Sequence, residues 1–302
     1  MIVDLLSSLP GAVAQGLVWG VMAIGVYITY KILDIADMTV DGSICTGAAV
    51  CTMLMLSGVN PWLAMLCAAL VGAVAGALTG LLHILLGIPA ILSGILTQMI
   101  LWSVNLKILG KANQALPARS NPVILSQMDI PSALIILGII VAVLIAILYL
   151  FFGTELGCSI RATGCNQVMS RAQGIDTNMT TIIGLMLSNA VVAFAGSLLC
   201  QFQGYTDINM GRGAVVIGLA AVVIGHAIVK HISHNFAVKL IGVATGAVVY
   251  YIVYQVIIFV GLDSDMLKMF SAIVVALFLG VPNVRKKLLS TKKVNLGEKD
   301  NA

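Results

Sequence analysis

Long apolar runs alternate with short polar breaks along this chain. Nine apolar segments stand out, at about 11–30, 42–57, 61–86, 88–108, 131–152, 178–201, 211–229, 236–261 and 266–282. The run 132–152 has no charged residue over 21 positions. About 20 apolar residues, rising 1.5 Å each as helix, cross the hydrocarbon core of a bilayer. The pattern predicts an all-α, polytopic transmembrane helical bundle of about nine helices. It excludes a membrane β-barrel, because the runs are continuously apolar and do not alternate. The segment 42–57 is short for a full crossing, and Asn60-Pro61 ends it firmly. The second helix is therefore expected to start below the membrane surface, with 34–43 re-entering as non-helical chain. Such backbone is tolerated at depth only where protein or water surrounds it.

Composition agrees. Of 302 residues, 60% are hydrophobic and 9% charged, and mean hydropathy is +1.08. Soluble domains are nearer 25% charged. Residues 1–10 lack the basic start and small-residue cleavage site of a signal peptide. Six scattered cysteines form no C-x-x-C pair and read as small buried filler. There is no phosphate-binding G-x-x-x-x-G-K-[ST] loop, so no ATP site of that kind is expected in the chain itself. No catalytic set, cofactor, metal site or nucleic-acid surface is expected. His231 and His234 are too few ligands for a metal.

Charge placement orients the bundle. The tail 284–302 is strongly basic and is expected in the cytoplasm. Nine crossings then put the N-terminus outside, and 11 of the 16 Lys and Arg residues fall on the inner side. Without the tail the split is five to five, so the tail carries the orientation. The chain divides into a membrane domain, 1–283, and the tail, 284–302.

Two polar segments break the apolar pattern most sharply. "DIADMTVDGS" (34–43) holds three of the twelve acidic residues. Either it is a solvated turn that caps a helix, with Asp41 or Ser43 as the N-cap, or Asp37 and Asp41 reach a translocation pathway. "DINMGRG" (207–213) is similar to "DMTVDGS" (37–43), and each precedes a short helix rich in Gly and Ala. An inverted repeat, segments 1–4 against 6–9, would produce this arrangement. Asn209 falls inside the second copy. Arg212 stands at a helix start, where the dipole disfavours a cation. It calls for an anionic partner, either Asp207 or a substrate carboxylate. Gln98, Asn105 and Asn189 interrupt apolar runs and either bond between helices or line the pathway. Ala68, Gly72, Gly76 and Gly80 form a ladder of small residues for close helix packing.

The loop 153–177 is the most specific signal. Within it, 166–173 reads as one short amphipathic helix closed by Gly174. The stretch resembles the coupling loop of ATP-binding-cassette (ABC) importer permeases of the branched-chain amino acid and ribose type. Gly157, Arg161, Ala162, Gly164, Asn166, Gly174 and Ile175 stand where that pattern has them. Gln167-Val168-Met169 replaces the usual Glu-Ala-Ala core. The likeness extends to 15–50 and 213–229. "TVDGS" is similar to the subgroup for aromatic amino acids such as tryptophan or tyrosine.

The resemblance implies a permease in a bacterial inner membrane that moves a small nutrient, in the first instance an amino acid. It implies a cytoplasmic ATP-binding subunit, an external solute-binding protein and a second permease copy, most simply as a homodimer, within membrane lipid. Arg161, Gly164, Asn166, Gln167, Ser170, Arg171 and Gly174 would couple to the ATPase. Asp37, Asp41, Gln98, Asn105, Asn189, Asn209 and Arg212 are the pathway candidates. Lys111 and Arg119, in the long loop 110–129, are candidates for docking the binding protein. A stand-alone proton-coupled transporter, with an intramembrane aspartate titrating, is the alternative.

Overall fold

A computed structural model describes residues 2–117, 123–229 and 235–259, together with Met269 and Ala276, with side chains from Ser8 onward. The rest of the ninth apolar segment, the basic tail, Arg119, His231 and His234 lie outside the described residues. The other eight segments coincide with helices. These are α1 (Ile2–Tyr27), continued by a π-helical turn (Ile28–Leu33), α2 (Val40–Leu56), α3 (Pro61–Ile84), α4 (Ala90–Leu109), α5 (Ile130–Phe152), α8 (Thr177–Gln203), α9 (Ala214–Val229) and α10 (Phe236–Phe259). Two further helices, α6 (Glu155–Cys165) and α7 (Gln167–Ala172), lie between α5 and α8. Among the described residues the architecture is all-α. Six helices are long and apolar enough to cross a membrane, while α2 and α9 are shorter. The protein is a multi-pass membrane protein.

Two features were not expected from the sequence. The 153–177 loop holds two helices rather than one. The connections after α4 and α8 carry a small ribbon, β1 (Asn113–Ala115) paired antiparallel with β2 (Tyr205–Asp207). Three residues per strand are too few to show an alternating pattern.

The bundle is built around α1 and α8, the two most buried spans. Close approach comes from small residues. Gly72 and Gly76 of α3 pack directly on the α8 backbone at Asn189 and Leu185, and Gly80 follows against Ile182. Gly47 of α2 abuts Ala193, and Gly196 of α8 abuts Ile44. In lipid the hydrophobic effect does not drive helices together, so such tight contacts matter more than in water. α5 shows the opposite arrangement. Its Ala133, Leu137, Val141, Ile145 and Leu148 are buried, whereas Ile135, Ile139, Val143 and Ile147 form an exposed stripe at four-residue spacing. Cys45, Cys51 and Cys200 are buried as expected, but Cys67, Cys158 and Cys165 are exposed.

The 27 residues of α8 span about 40 Å at 1.5 Å each. They separate the two ends of the bundle. At one end, α6 presses against the π-helical turn, where Gly164 meets the backbone at Ile32. At the other, Leu116 N–H donates to the Gly204 carbonyl (2.8 Å) and Ile208 N–H to the Ala112 carbonyl (2.9 Å), extending the ribbon. Gln201 accepts from the Ile124 N–H (3.1 Å) and ties the rest of that loop down.

The α2–α8 contact can be tested directly. Gly47→Val drives a side chain into the Ala193 backbone, so the purified protein should lose its monodisperse peak in gel filtration. Gly138→Leu faces open space on α5. It should leave that peak intact and, by helix propensity, raise stability by up to ~1 kcal/mol in a thermal melt.

Candidate translocation site

α2 does begin inside the bundle. Gly42 packs against Gln98 and Leu101, near the midpoint of α4. The approach from α1 is non-helical and includes Asp34, whose φ of 57° is left-handed. Asp37 then turns the chain inward. Its Oδ1 accepts the Thr39 N–H (2.8 Å) and its Oδ2 accepts from Asn189 Nδ2 (2.7 Å). Asn189 in turn accepts from the Ser43 hydroxyl (2.6 Å). All three side chains are buried. The Thr39 and Thr79 hydroxyls are 2.7 Å apart, and Thr79 donates to Thr97 (2.9 Å), so a polar thread crosses to α3 and α4. This cluster locks the segment before α2 in place.

Asp41 is not the cap of its own helix. Its Oδ2 accepts the Gly213 N–H (3.0 Å) and its Oδ1 the Val215 N–H (2.9 Å), so it caps α9 from across the bundle. The segment before α9 mirrors the one before α2. Asp207 Oδ1 accepts the Asn209 N–H (2.7 Å), as Asp37 accepts that of Thr39. The two broken regions also touch. The Gly211 N–H donates to Cys45 Sγ (3.1 Å), and that thiol donates to the Ile208 carbonyl (3.4 Å). Any side chain at Gly211 would strike the Asp41 carbonyl.

A cavity of about 560 Å³ opens beside this junction. Four candidates from the sequence line it together: Asp41, Gln98, Asn105 and Arg212. Apolar walls come from Ile95, Met99 and Trp102, which the polar-residue reading missed. They follow the three- and four-residue spacing of one α4 face, the one available signal. Among the described residues, no carboxylate forms an ion pair with Arg212. Asp207 instead contacts Asn113 Nδ2 (3.4 Å). Asn209 lines a separate opening of about 450 Å³ with Asn113, Tyr205, Asp207 and Met210. Asp37 and Asn189 line neither; they form the buried cluster. Lys111 is exposed next to the ribbon.

At the other end, α6 and α7 form a compact corner. The Asn166 side chain caps α7 by accepting the Met169 N–H (3.0 Å). α7 closes as the sequence predicts. Gly174 has φ 82°, Ile175 N–H donates to the Ser170 carbonyl and Gly174 N–H to the Arg171 carbonyl, both 3.0 Å. That pair of bonds is the Schellman closure. Arg171 Nε donates to Thr177 Oγ1 (2.7 Å), fastening α7 to α8. Ser170 is buried beneath, whereas Gln167, Val168 and Met169 are exposed, Val168 by 79%. Arg161 lies over the Phe236 ring, 5.7 Å from its centroid.

Residues 9–282 match the family model described as branched-chain amino acid transport system / permease component. The chain belongs to that family. The permease is 37% identical, over 290 residues, to a tyrosine transport system permease protein of Clostridioides difficile (strain R20291), covering 96% of this chain and 95% of that one. It is 31% identical over 278 residues to an uncharacterized protein of Rickettsia prowazekii (strain Madrid E), covering 91% and 97%. No solved structure matches it significantly. The permease is thus a transport subunit, in keeping with the resemblance carried by 153–177.

Removing the Asp41 carboxylate strands two N–H groups of α9. Hydrogen bonds to charged groups contribute about 1.5–3 kcal/mol each. Asp41→Ala should therefore lose at least about 2 kcal/mol in detergent-phase unfolding. Asp41→Asn, which keeps one acceptor, should lose less.

Proposed function

We propose that the permease is the membrane subunit of an ATP-driven importer for an amino acid, in the first instance an aromatic one. Support for the substrate comes from the tyrosine system relative and from the aromatic and apolar walls of the cavity beside Arg212. An external solute-binding protein delivers the substrate, docking near Lys111 and Arg119. A second permease copy completes the path. The N-terminus lies outside, and the basic tail lies in the cytoplasm with α6 and α7.

The observation that carries this reading is the form of α7. A six-residue helix is too short to persist by itself, yet this one is capped at both ends and pinned to α8. Its outward face leaves Val168 and Met169 largely exposed. A rigid, apolar-faced stub at the end of the 27-residue α8 suits a part that a cytoplasmic ATP-binding subunit grips and moves. Arg161, Gly164, Asn166, Gln167, Ser170, Arg171 and Gly174 build that corner. Gly164 seats α6 on the π-helical turn leading to Asp37, so a push on α6–α7 bears on the re-entrant segment.

The matching Asx turns at Asp37 and Asp207, each leading into a short apolar helix, support an inverted repeat of about nine helices. The two broken helices would then meet at the pathway from opposite sides.

The test is hydrolysis in the assembled system. ATP turnover stimulated by loaded binding protein should appear only when permease and ATP-binding subunit are together. Val168→Glu should reduce it at least tenfold while leaving the melting temperature of the permease unchanged. Uptake by the lone permease under a proton gradient, without nucleotide, would overturn the proposal.

A further inference from the structure

The 560 Å³ cavity contains an imbalance. Asn105 is only 1% exposed, yet neither its amide nitrogen nor its amide oxygen has a hydrogen-bond partner. A buried polar group left without a partner carries its full desolvation cost. Native interiors pair nearly all such groups, and the exceptions cluster where a ligand or function completes them. Every other buried amide on the re-entrant assembly is satisfied: Asn189 bonds Asp37, Ser43 and the Leu185 carbonyl. A leucine at 105 would fit its apolar helix without this cost.

We infer that Asn105 reads a ring hydroxyl on an aromatic amino acid held in this cavity. The inference rests on the proposed amino-acid import and specifies its ligand. An amide with both ends free calls for a group that donates and accepts at once, and a phenolic hydroxyl is such a group. A carboxylate only accepts and an ammonium only donates, so either would leave half of Asn105 unpaired. The walls settle the rest of the ligand. Ile95, Met99 and Trp102 offer apolar, sulfur and indole surfaces for a ring. They would be wasted on a ligand whose polar end was joined to an aliphatic chain. Arg212 lines the same space, and its guanidinium, without a carboxylate partner among the described residues, matches an α-carboxylate in bidentate fashion. Asp41 lines it too, and its negative charge favours the ligand's ammonium there. A volume of about 560 Å³ is within the range of small-molecule sites.

Asn105 is on this view a specificity-determining residue. A site built to bond a hydroxyl discriminates against the ligand lacking it, because its own polar groups are then stranded. Tyrosine and phenylalanine differ by that group alone.

The experiment compares uptake of labelled tyrosine and phenylalanine by the reconstituted complex of permease, ATP-binding subunit and binding protein, with Asn105→Leu and Asn105→Ala beside the wild type. The binding protein is common to all, so its own preference cancels when the tyrosine-to-phenylalanine ratio of kcat/KM is compared between variants. That ratio should fall about tenfold in both variants, with phenylalanine uptake largely retained. Asn105→Leu should also melt no lower than the wild type, since an unpaired amide is removed. A ratio unchanged within twofold, with uptake otherwise intact, overturns the inference while leaving the importer reading in place. ATP-independent uptake, or no aromatic amino acid uptake by the wild-type complex, overturns both.

Discussion

Two interrupted helices meet inside this bundle, and one carboxylate joins them. Asp41, in the first turn of α2, accepts the Gly213 and Val215 N–H groups at the start of α9. In a bilayer, free helix-end N–H groups cost several kcal/mol unless something in the protein satisfies them. A helix N-terminus also favours negative charge. The same contact therefore solves two problems: it pairs the exposed end of α9, and it gives a half-buried acid compensating partners. Both α2 and α9 are shorter than the six span-length helices, and this contact joins their N-terminal ends beside the cavity.

The surrounding polar groups extend this logic. Asp37, Asn189 and Ser43 form a closed set of hydrogen bonds that fixes the re-entrant chain. Thr39, Thr79 and Thr97 tie it to α3 and α4. The small residues at Gly47, Gly72, Gly76 and Gly196 bring the backbones close enough for these short side chains to reach one another. Close packing and polar satisfaction are thus one device rather than two.

Function follows from where rigidity is placed. The α6–α7 corner is capped, pinned by Arg171 to Thr177, and seated through Gly164 on the turn that leads to Asp37. Under the proposed function, motion imposed at α7 would have a short, stiff route to the segment bordering the cavity. At the far end of α8, the ribbon and Gln201 hold the connection between α4 and α5. Between these ends the cavity gathers polar side chains from α2, α4 and the segment before α9.

The chain's apolar periods determined much of this by themselves. Run length depends only on local composition and bilayer thickness, so the eight segments that fall within the described residues coincide with helices. The shortness of 42–57 pointed to a start of α2 within the bundle, where Gly42 packs on α4. Asn166 and Gly174 likewise announced the ends of α7, because capping is a property of adjacent residues. What the sequence could not determine was partnership across the fold. Asp41 looked like the cap of its own helix and is the cap of another, 172 residues away in the case of Gly213. Asp37 and Asn189 were open to either reading in the sequence, and they bond each other across 152 residues. α6 was hidden because Gly157 and Gly164 read as loop residues, when they are small to admit the backbones at Phe152 and Ile32. The unpaired amide of Asn105 is likewise a fact about its neighbours. Hydrogen bonds between distant segments follow from three-dimensional packing, which no local pattern encodes, so only the tertiary structure could decide them.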